Sequence, residues 1–411
     1  MKINKHCFPN GLRLVHYEDT STQMVALNIV YDVGARDEHP EHTGFAHLFE
    51  HLMFGGSAHI PDYDTPLQLA GGENNAWTNN DITNYYLTVP KPNVETAFWL
   101  ESDRMLELAF SEQSLEVQRG VVMEEFKQRC LNQPYGDVGH LFRPLAFRVH
   151  PYRWPTIGKE LSHIEQATLD EVKSFFYRFY APNNAVLAVT GNISWDETVK
   201  LTEKWFAPIP RRDVPVRQLP QEPEQTQERR LTVERNVPLD ALFMGYHMCS
   251  REGVDYYAFD ILSDILSNGR SSRLNRRLVQ EQNIFSGIDA YISGTRDAGL
   301  LQISGKPAAG VSLEQAEAAV RKELEELQRS PVDGQELEKV KNKFESTQIF
   351  GNINYLNVAT NLAWFELTGK AEDIDLEVER YRSVTTEQLH TVAQRTFCES
   401  NSVVLYYKSD K

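Results

Sequence analysis

The chain repeats itself at a distance of 217 residues (168 to 385). Residues 168–189 (TLDEVKSFFYRFYAPNNAVLAV) resemble residues 385–406 (TTEQLHTVAQRTFCESNSVVLY). Each copy reads as a helix, a turn and an apolar strand. A strand pattern at residues 24–30 likewise has a counterpart at residues 241–247. Because 411 residues also exceed one ordinary hydrophobic core, the repeat predicts two similar α/β domains.

The boundaries between these domains follow from composition. Residues 213–228 are rich in proline, glutamine and charged side chains and poor in apolar ones, which is typical of an extended linker. We therefore expect an N-terminal domain at residues 1–212 and a homologous C-terminal domain at residues 229–411.

A mostly apolar helix pattern at residues 44–54 carries two histidines and a carboxylate. His47 and His51 are four residues apart, so on a helix they project from one face and suit two imidazoles sharing a tetrahedral zinc ion. Glu50 completes an H-x-x-E-H order, in which the glutamate can take a proton from a metal-bound water without binding the metal. The alternative is a chance match on a helix surface. The apolar neighbours favour burial, where charged groups need a partner or a metal.

The sequence VVMEEF at residues 121–126 contains a candidate for a further metal ligand. It lies within a helix pattern that spans residues 111–130. Glu125 is a carboxylate among apolar side chains, which suggests a metal ligand. The alternative is that Glu124 and Glu125 form a solvated acidic pair. The residues alone leave both interpretations open.

Composition excludes several other functions. The net charge of −16 argues against nucleic acid as a partner, because no excess of basic side chains is available to neutralise phosphates. No apolar run approaches the roughly 18 residues of a membrane-spanning helix. The four cysteines show no C-x-x-C spacing and are read as ordinary thiols. The first residues have no apolar signal-peptide core, so we expect a cytoplasmic protein, or a periplasmic one if the chain is a processed form.

Five stretches of the chain together resemble the pitrilysin-type zinc peptidases, which include insulin-degrading enzymes and mitochondrial processing peptidases. They are residues 34–57 (GARDEHPEHTGFAHLFEHLMFGGS), 75–86 (NAWTNNDITNYY), 119–129 (RGVVMEEFKQR), 180–192 (YAPNNAVLAVTGN) and 271–274 (SSRL). The chain looks closest to the short, two-domain branch, whose active enzymes combine two subunits of similar length. The resemblance implies an α+β fold of two homologous α/β domains, each a mostly antiparallel sheet packed against helices, as in the LuxS/MPP-like metalloenzyme duplication.

The resemblance also implies a catalytic site in the N-terminal domain. One zinc ion per chain would be held by His47, His51 and Glu125, with Glu50 as the catalytic base. Glu125 lies 74 residues after His51 (51 to 125), within the family's spacing, and the family pattern places the ligand on the second acid of the pair. Gln118 stands where the family often has another acid, seven residues before this ligand.

A second implied feature is an edge strand that binds substrate. The NAWT stretch resembles the family strand on which an extended peptide adds to the sheet by backbone hydrogen bonds. The substrate-binding residues implied are Asn75, Ala76, Trp77 and Thr78. The alternative interpretation of this stretch is a plain hairpin.

The C-terminal half departs from the family pattern. Gln280 stands where members that complete the site carry an arginine, and Ser286 stands where they carry a tyrosine; Arg277 lies one helical turn before Gln280. In the family those two groups hold the substrate backbone and polarise the scissile carbonyl. Gln280 could donate one hydrogen bond but brings no charge, and serine is too short to replace tyrosine. Whether Arg277 or Gln280 replaces the arginine is left open by the sequence.

We therefore expect a zinc metallopeptidase acting on peptides or unfolded segments. Its catalytic subunit would need a homologous partner of about 400 residues that supplies the arginine and the tyrosine. The alternatives are a structural core-type subunit without peptidase activity and a self-sufficient homodimeric peptidase.

Overall fold

The computed structural model describes residues 1–410, which contain two sheets packed against helices. The strands are β1 (Ile3–Cys7), β2 (Arg13–Glu18), β3 (Met24–Tyr31), β4 (Glu73–Thr78), β5 (Thr83–Pro90), β6 (Ala185–Gly191), β7 (Arg229–Arg235), β8 (Ala241–Met248), β9 (Phe285–Ile292), β10 (Gly299–Pro307) and β11 (Ser402–Ser409).

The α-helices are distributed over both the N-terminal and the C-terminal half of the chain. They are α1 (Phe45–Leu52), α2 (Asp64–Leu69), α3 (Val94–Leu106), α4 (Glu112–Phe126), α5 (Val138–Ala146), α6 (Leu161–Glu165), α7 (Leu169–Phe179), α8 (Trp195–Trp205), α9 (Tyr256–Ser267), α10 (Leu313–Arg329), α11 (Gly334–Gly351), α12 (Tyr355–Thr368), α13 (Glu377–Ser383) and α14 (Thr386–Thr396). Within residues 1–410, none of them is both long enough and apolar enough to cross a membrane.

The first sheet has the strand order β1-β2-β6-β3-β5-β4. Its strands pair antiparallel except for β2 and β6, which are parallel. Every residue of β6 is buried, which explains why its first five residues are continuously apolar instead of alternating. Strand β4 lies at the edge and pairs only with β5.

The second sheet repeats this plan with the order β7-β11-β8-β10-β9. Only β7 and β11 are parallel, and the remaining pairs are antiparallel. Two mostly antiparallel sheets packed against helices confirm the fold class that the resemblance implies.

Each sheet is covered on both faces, and the helix on one face comes from the other half of the chain. Helix α12 packs on β3 and β6 of the first sheet, where Val358 and Leu362 are buried. Helix α5 packs on β7 and β11 of the second sheet, where Phe142 is buried. The two helices begin 217 residues apart (138 to 355), so they are equivalent parts of the two repeats.

The compact units are therefore not continuous in sequence. One consists of residues 1–129, 154–219 and 349–376. The other consists of residues 130–153 and 220–348 and of the described residues from 377 onward. The predicted boundaries at residues 212 and 229 follow the two sequence repeats, whereas the units follow packing. The physical reason is that each sheet would otherwise leave an apolar face in water.

The predicted linker contains neither helix nor strand, but its side chains are anchored. Arg217 binds Asp32 at 2.7 Å and Asp37 at 2.5 Å within the first unit. The carboxylate of Glu222 accepts three backbone N–H groups, from residues 148, 149 and 150, within the second unit. The middle of the segment is therefore held in place by specific contacts at Arg217 and Glu222.

Candidate metal centre

Helix α1 places the two histidines of the motif on one face. It starts after Gly44, whose φ of 87° is left-handed; a Cβ there would lie 2.7 Å from Ile164 Cδ1. The rings of His47 and His51 have centroids 4.9 Å apart and are nearly perpendicular. The apolar residues of the helix are buried, as the sequence pattern indicates.

Helix α4 brings the third group to this face. Ser111 caps its N-terminus, where its hydroxyl accepts the N–H of Ser114. Helices α1 and α4 pack against each other. Oε2 of Glu125 lies 3.5 Å from Nε2 of His47 and 3.3 Å from Nε2 of His51. Glu124 points elsewhere: its side chain is 64% exposed and binds Lys127.

The three side chains fit a zinc ion. With metal–ligand distances near 2.0–2.1 Å, two corners of a tetrahedron are about 3.4 Å apart, which matches the spacing between the carboxylate oxygen and each imidazole. The three ligand atoms all lie within 4.8 Å of one another, and no other such group of His, Cys, Asp or Glu occurs in residues 1–410. The buried Nδ1 of His47 has no hydrogen-bond partner among the described residues.

Protonation also suits metal binding. Burial lowers the pKa of His47 to about 4, although the nearby Glu125 opposes this shift, so the imidazole is neutral at pH 7. A hydrogen bond from His51 lowers the pKa of Glu125, against the effect of burial. A neutral imidazole and an ionised carboxylate are the forms that bind zinc.

Glu50 lies beside this group and also contacts the edge strand. Burial raises the pKa of its carboxyl group, while a hydrogen bond from the Thr78 hydroxyl opposes that shift. The charges of His51 and Glu125 also affect it, so the three side chains are close together. A carboxylate near the metal with a raised pKa is suited to accept a proton at neutral pH.

The four residues predicted to bind substrate all lie on β4, and they face different ways. Ala76 packs against the core that includes α1, whereas Trp77 packs against the cluster that includes α12. The N–H of Ala76 is bonded to Oδ1 of Asn75 at 2.8 Å. Because the N–H of Ala76 is bound by a side chain, it points to the open edge of the sheet and not to β5. A strand added to this edge could therefore use it.

Three contributions to the site were not predicted from the sequence. Glu38 binds the N-terminus of α1, Thr78 lowers the pKa of Glu50, and Arg129 binds Glu125. Only the last had a usable signal, because Arg129 follows Glu125 by four residues and such pairs meet on a helix.

The second unit has no comparable set of ligands among its described residues, which end at residue 410. Helix α9 occupies the position of α1 in the repeat and contains no histidine. Arg277 binds Glu323 at 2.6 Å and also binds Glu326. The amide of Gln280 donates to the carbonyl of Arg270 at 2.6 Å. These side chains are occupied by contacts inside their own unit.

Ser286 is similarly occupied. Its hydroxyl donates to the carbonyl of Lys306 at 3.1 Å. Neither Ser286 nor Gln280 supplies the charge or the reach of the arginine and tyrosine in the family pattern.

Comparison with known proteins agrees with this architecture. A family model described as "Insulinase (Peptidase family M16)" matches residues 13–137, and one described as "Peptidase M16 inactive domain" matches residues 166–344. Together they cover about three quarters of the chain. The first match contains all three candidate ligands, and the second lies where none is found.

Curated relatives align over nearly the whole chain. The zinc protease PqqE of Helicobacter pylori is 26% identical over 97% of this chain and 91% of its own length. The uncharacterised zinc protease YmxG of Bacillus subtilis is 24% identical over 98% of both chains.

Solved structures share the fold. The crystal structure of a protease from Helicobacter pylori has a TM-score of 0.94 at 26% identity and covers 99% of each chain. The periplasmic protease PqqL of Escherichia coli has a TM-score of 0.81 at 18% identity, and the match spans 99% of this chain but 47% of PqqL. With two M16 family models matched in succession and relatives aligned from end to end, the chain belongs to the M16 peptidases, the insulinase or pitrilysin family.

Proposed function

We propose that this chain is the zinc-bearing subunit of a metallopeptidase that hydrolyses peptides or unfolded segments. The observation that carries the proposal is the convergence of His47, His51 and Glu125 on one point, with tetrahedral spacing between the carboxylate and each imidazole. We assign the catalytic role to residues 1–212, and we assign residues 229–411 to a homologous domain without a metal set.

The two histidines and Glu125 would hold one Zn²⁺ per chain through three protein ligands. When bound, zinc lowers the pKa of a coordinated water and polarises the scissile carbonyl. Glu50 then accepts a proton from the attacking water and donates it to the leaving amine. Thr78, on the edge strand, lies close enough to Glu50 to lower the pKa of its carboxyl group, which favours the ionised form that accepts the proton.

Substrate would bind as an added strand on β4. This strand forms the sheet edge next to α1, and Ala76 offers an outward-facing N–H. Backbone hydrogen bonds to an edge strand do not depend on the side chains of the substrate, but they require an extended segment. The site would therefore select unfolded or short peptides over folded proteins.

A partner subunit would complete the site. Arg277 is held by Glu323 and Glu326, so it is not available to replace the missing arginine. The match to 47% of PqqL shows that a chain of this size can correspond to half of a longer protease. We infer a homologous partner of about 400 residues that contributes an arginine and a tyrosine.

The test combines zinc content with peptide cleavage. The purified chain is loaded with zinc, and its metal content is measured by mass spectrometry. Cleavage of an unstructured peptide library is then followed with and without a homologous M16 chain of about 400 residues that carries the arginine and the tyrosine. We expect one zinc ion per chain, little cleavage by the chain alone and strong cleavage by the mixture. Glu50→Gln should keep the zinc and lose about 100-fold or more of the cleavage rate.

Other outcomes identify the alternatives. A chain that binds no zinc and cleaves nothing in either condition would be a structural core-type subunit. Strong cleavage by the chain alone would indicate a self-sufficient homodimeric peptidase and would contradict the partner requirement.

A further inference from the structure

The two carboxylate oxygens of Glu125 have different neighbours. Oε2 faces the two histidines at 3.5 and 3.3 Å. Oε1 lies 2.9 Å from Nη2 of Arg129. The carboxylate is therefore held between an imidazole pair on one side and a guanidinium on the other.

The local helix geometry allows this contact. Helix α4 ends at Phe126, and residues Lys127–Leu131 form a π-helical turn. Such turns are rare and often occur at functional sites. Two basic residues of the turn bind different acids, since Lys127 binds Glu124 at 2.6 Å and Arg129 binds Glu125.

We propose that Arg129 is a positioning residue of the metal centre, whose guanidinium holds Oε1 of Glu125 so that Oε2 alone faces the metal. The proposal rests on the zinc site of the proposed function. A carboxylate that offers one oxygen leaves a coordination position open, as catalytic zinc requires. A carboxylate released by Arg129 could turn both oxygens toward the ion and fill that position.

The competing interpretation is an ordinary surface ion pair. The Arg129 side chain is 67% exposed, and exposed pairs add little to stability. What distinguishes this pair is that its acid is only 19% exposed and faces two imidazoles. Gln118 also stands where the family often has an acid that supports the metal ligand. Arg129 can instead orient Glu125 from the other side.

The experiment compares Arg129→Ala and Arg129→Lys with the unchanged chain, and Lys127→Ala serves as the matched control. Lys127→Ala removes a positive charge from the same turn but releases Glu124, which does not face the histidines. Zinc affinity is measured by competition with a chelator, and the visible absorption of the cobalt-substituted protein reports the coordination number. Circular dichroism of the metal-free variants checks that each one folds.

We expect Arg129→Ala to weaken zinc binding about 10- to 100-fold and to change the cobalt spectrum. Arg129→Lys should restore most of both, and Lys127→Ala should resemble the unchanged chain. Zinc affinity within twofold of that of the unchanged chain, together with an unchanged cobalt spectrum, would show that Arg129 acts only as a surface charge and would overturn the proposal. If Arg129→Ala fails to fold, Arg129→Gln is used in its place and judged by the same criteria.

Failure of this inference can be told apart from failure of the proposed function. If the unchanged chain binds no zinc, both are wrong. If it binds zinc and Arg129→Ala binds it equally well with the same cobalt spectrum, only the role of Arg129 is wrong.

Discussion

The carboxyl group of Glu38 accepts the backbone N–H of Ala46 at 2.9 Å, one residue before His47. Its other oxygen accepts the N–H of Gly44 at 3.0 Å. Gly44 occupies the N-cap position of α1 but has no side chain to cap it, and Glu38 performs that task from six residues earlier. Glu38 thereby fixes where the metal-motif helix begins.

The buried position of Glu38 predicts a pH-dependent stability. Burial raises its pKa from 4.5 to about 8, although hydrogen bonds from Ala46 and Gly44 oppose the shift. Between these values the unfolded chain releases the proton and the folded chain keeps it, so the free energy of unfolding falls as the pH rises. We expect Glu38→Gln to lose this contribution, so that the stability advantage of the unchanged chain shrinks from about pH 5 to about pH 8. Urea unfolding of both chains measures it, and a constant difference would contradict the prediction.

The choice between Glu124 and Glu125 predicts opposite effects of two neighbouring substitutions. Glu125→Gln should weaken zinc binding about 100-fold or more, because a neutral amide replaces a charged ligand. Glu124→Gln should leave zinc binding nearly unchanged, because that side chain is exposed and bound to Lys127. Zinc retained after dialysis against a graded chelator distinguishes the two. Equal losses would mean that the ligand assignment is wrong.

The open edge of β4 predicts that proline at residue 76 impairs substrate binding without disturbing the metal. Ala76→Pro removes an outward-facing N–H, and proline is tolerated on an edge strand. The loss of one backbone hydrogen bond, with steric obstruction by the ring, should lower kcat/KM for extended peptides about 10-fold. Zinc content should not change. Undiminished cleavage would rule out strand addition at this position.

A polar cluster in the second unit predicts sensitivity to acid. Although burial favours the neutral form, hydrogen bonds from Arg230, Tyr406 and Arg321 lower the pKa of Glu317 to about 2. This stabilisation is present above the unfolded pKa of 4.5 and is lost as the pH falls toward 2. Glu317→Gln should therefore cost roughly 1.5–3 kcal/mol at pH 7 and little near pH 2. Urea unfolding at both pH values tests this, and an equal cost at both would show that charge is not the cause.

Short sequence patterns were sufficient to predict part of the site and part of the fold. The spacing of His47, Glu50 and His51 on an apolar helix needs only residues within about one helical turn. Helix α1 (Phe45–Leu52) lies within the predicted pattern at residues 44–54. Strands β4 and β5 pair antiparallel as a hairpin, which is the local interpretation that the stretch at residues 75–78 also allows.

The other features of the fold and the site depend on packing between segments that are distant in the sequence. Glu124 and Glu125 differ by about 100° around α4, and only the contact with α1 decides which acid faces the histidines. The amphipathic pattern of a helix likewise shows that one face is buried, but not which sheet buries it. The sequence therefore did not show that α5 packs on the second sheet and α12 on the first.

The exchange of α5 and α12 has a consequence for how such a chain could have arisen. Neither repeat covers both faces of its own sheet, so a single ancestral copy would have needed the missing helix from a second molecule of the same kind. Fusion of two copies would then have converted this exchange of helices between separate chains into packing within a single chain. Splitting this protein between its repeats should accordingly give two fragments that each depend on the other to become water-soluble.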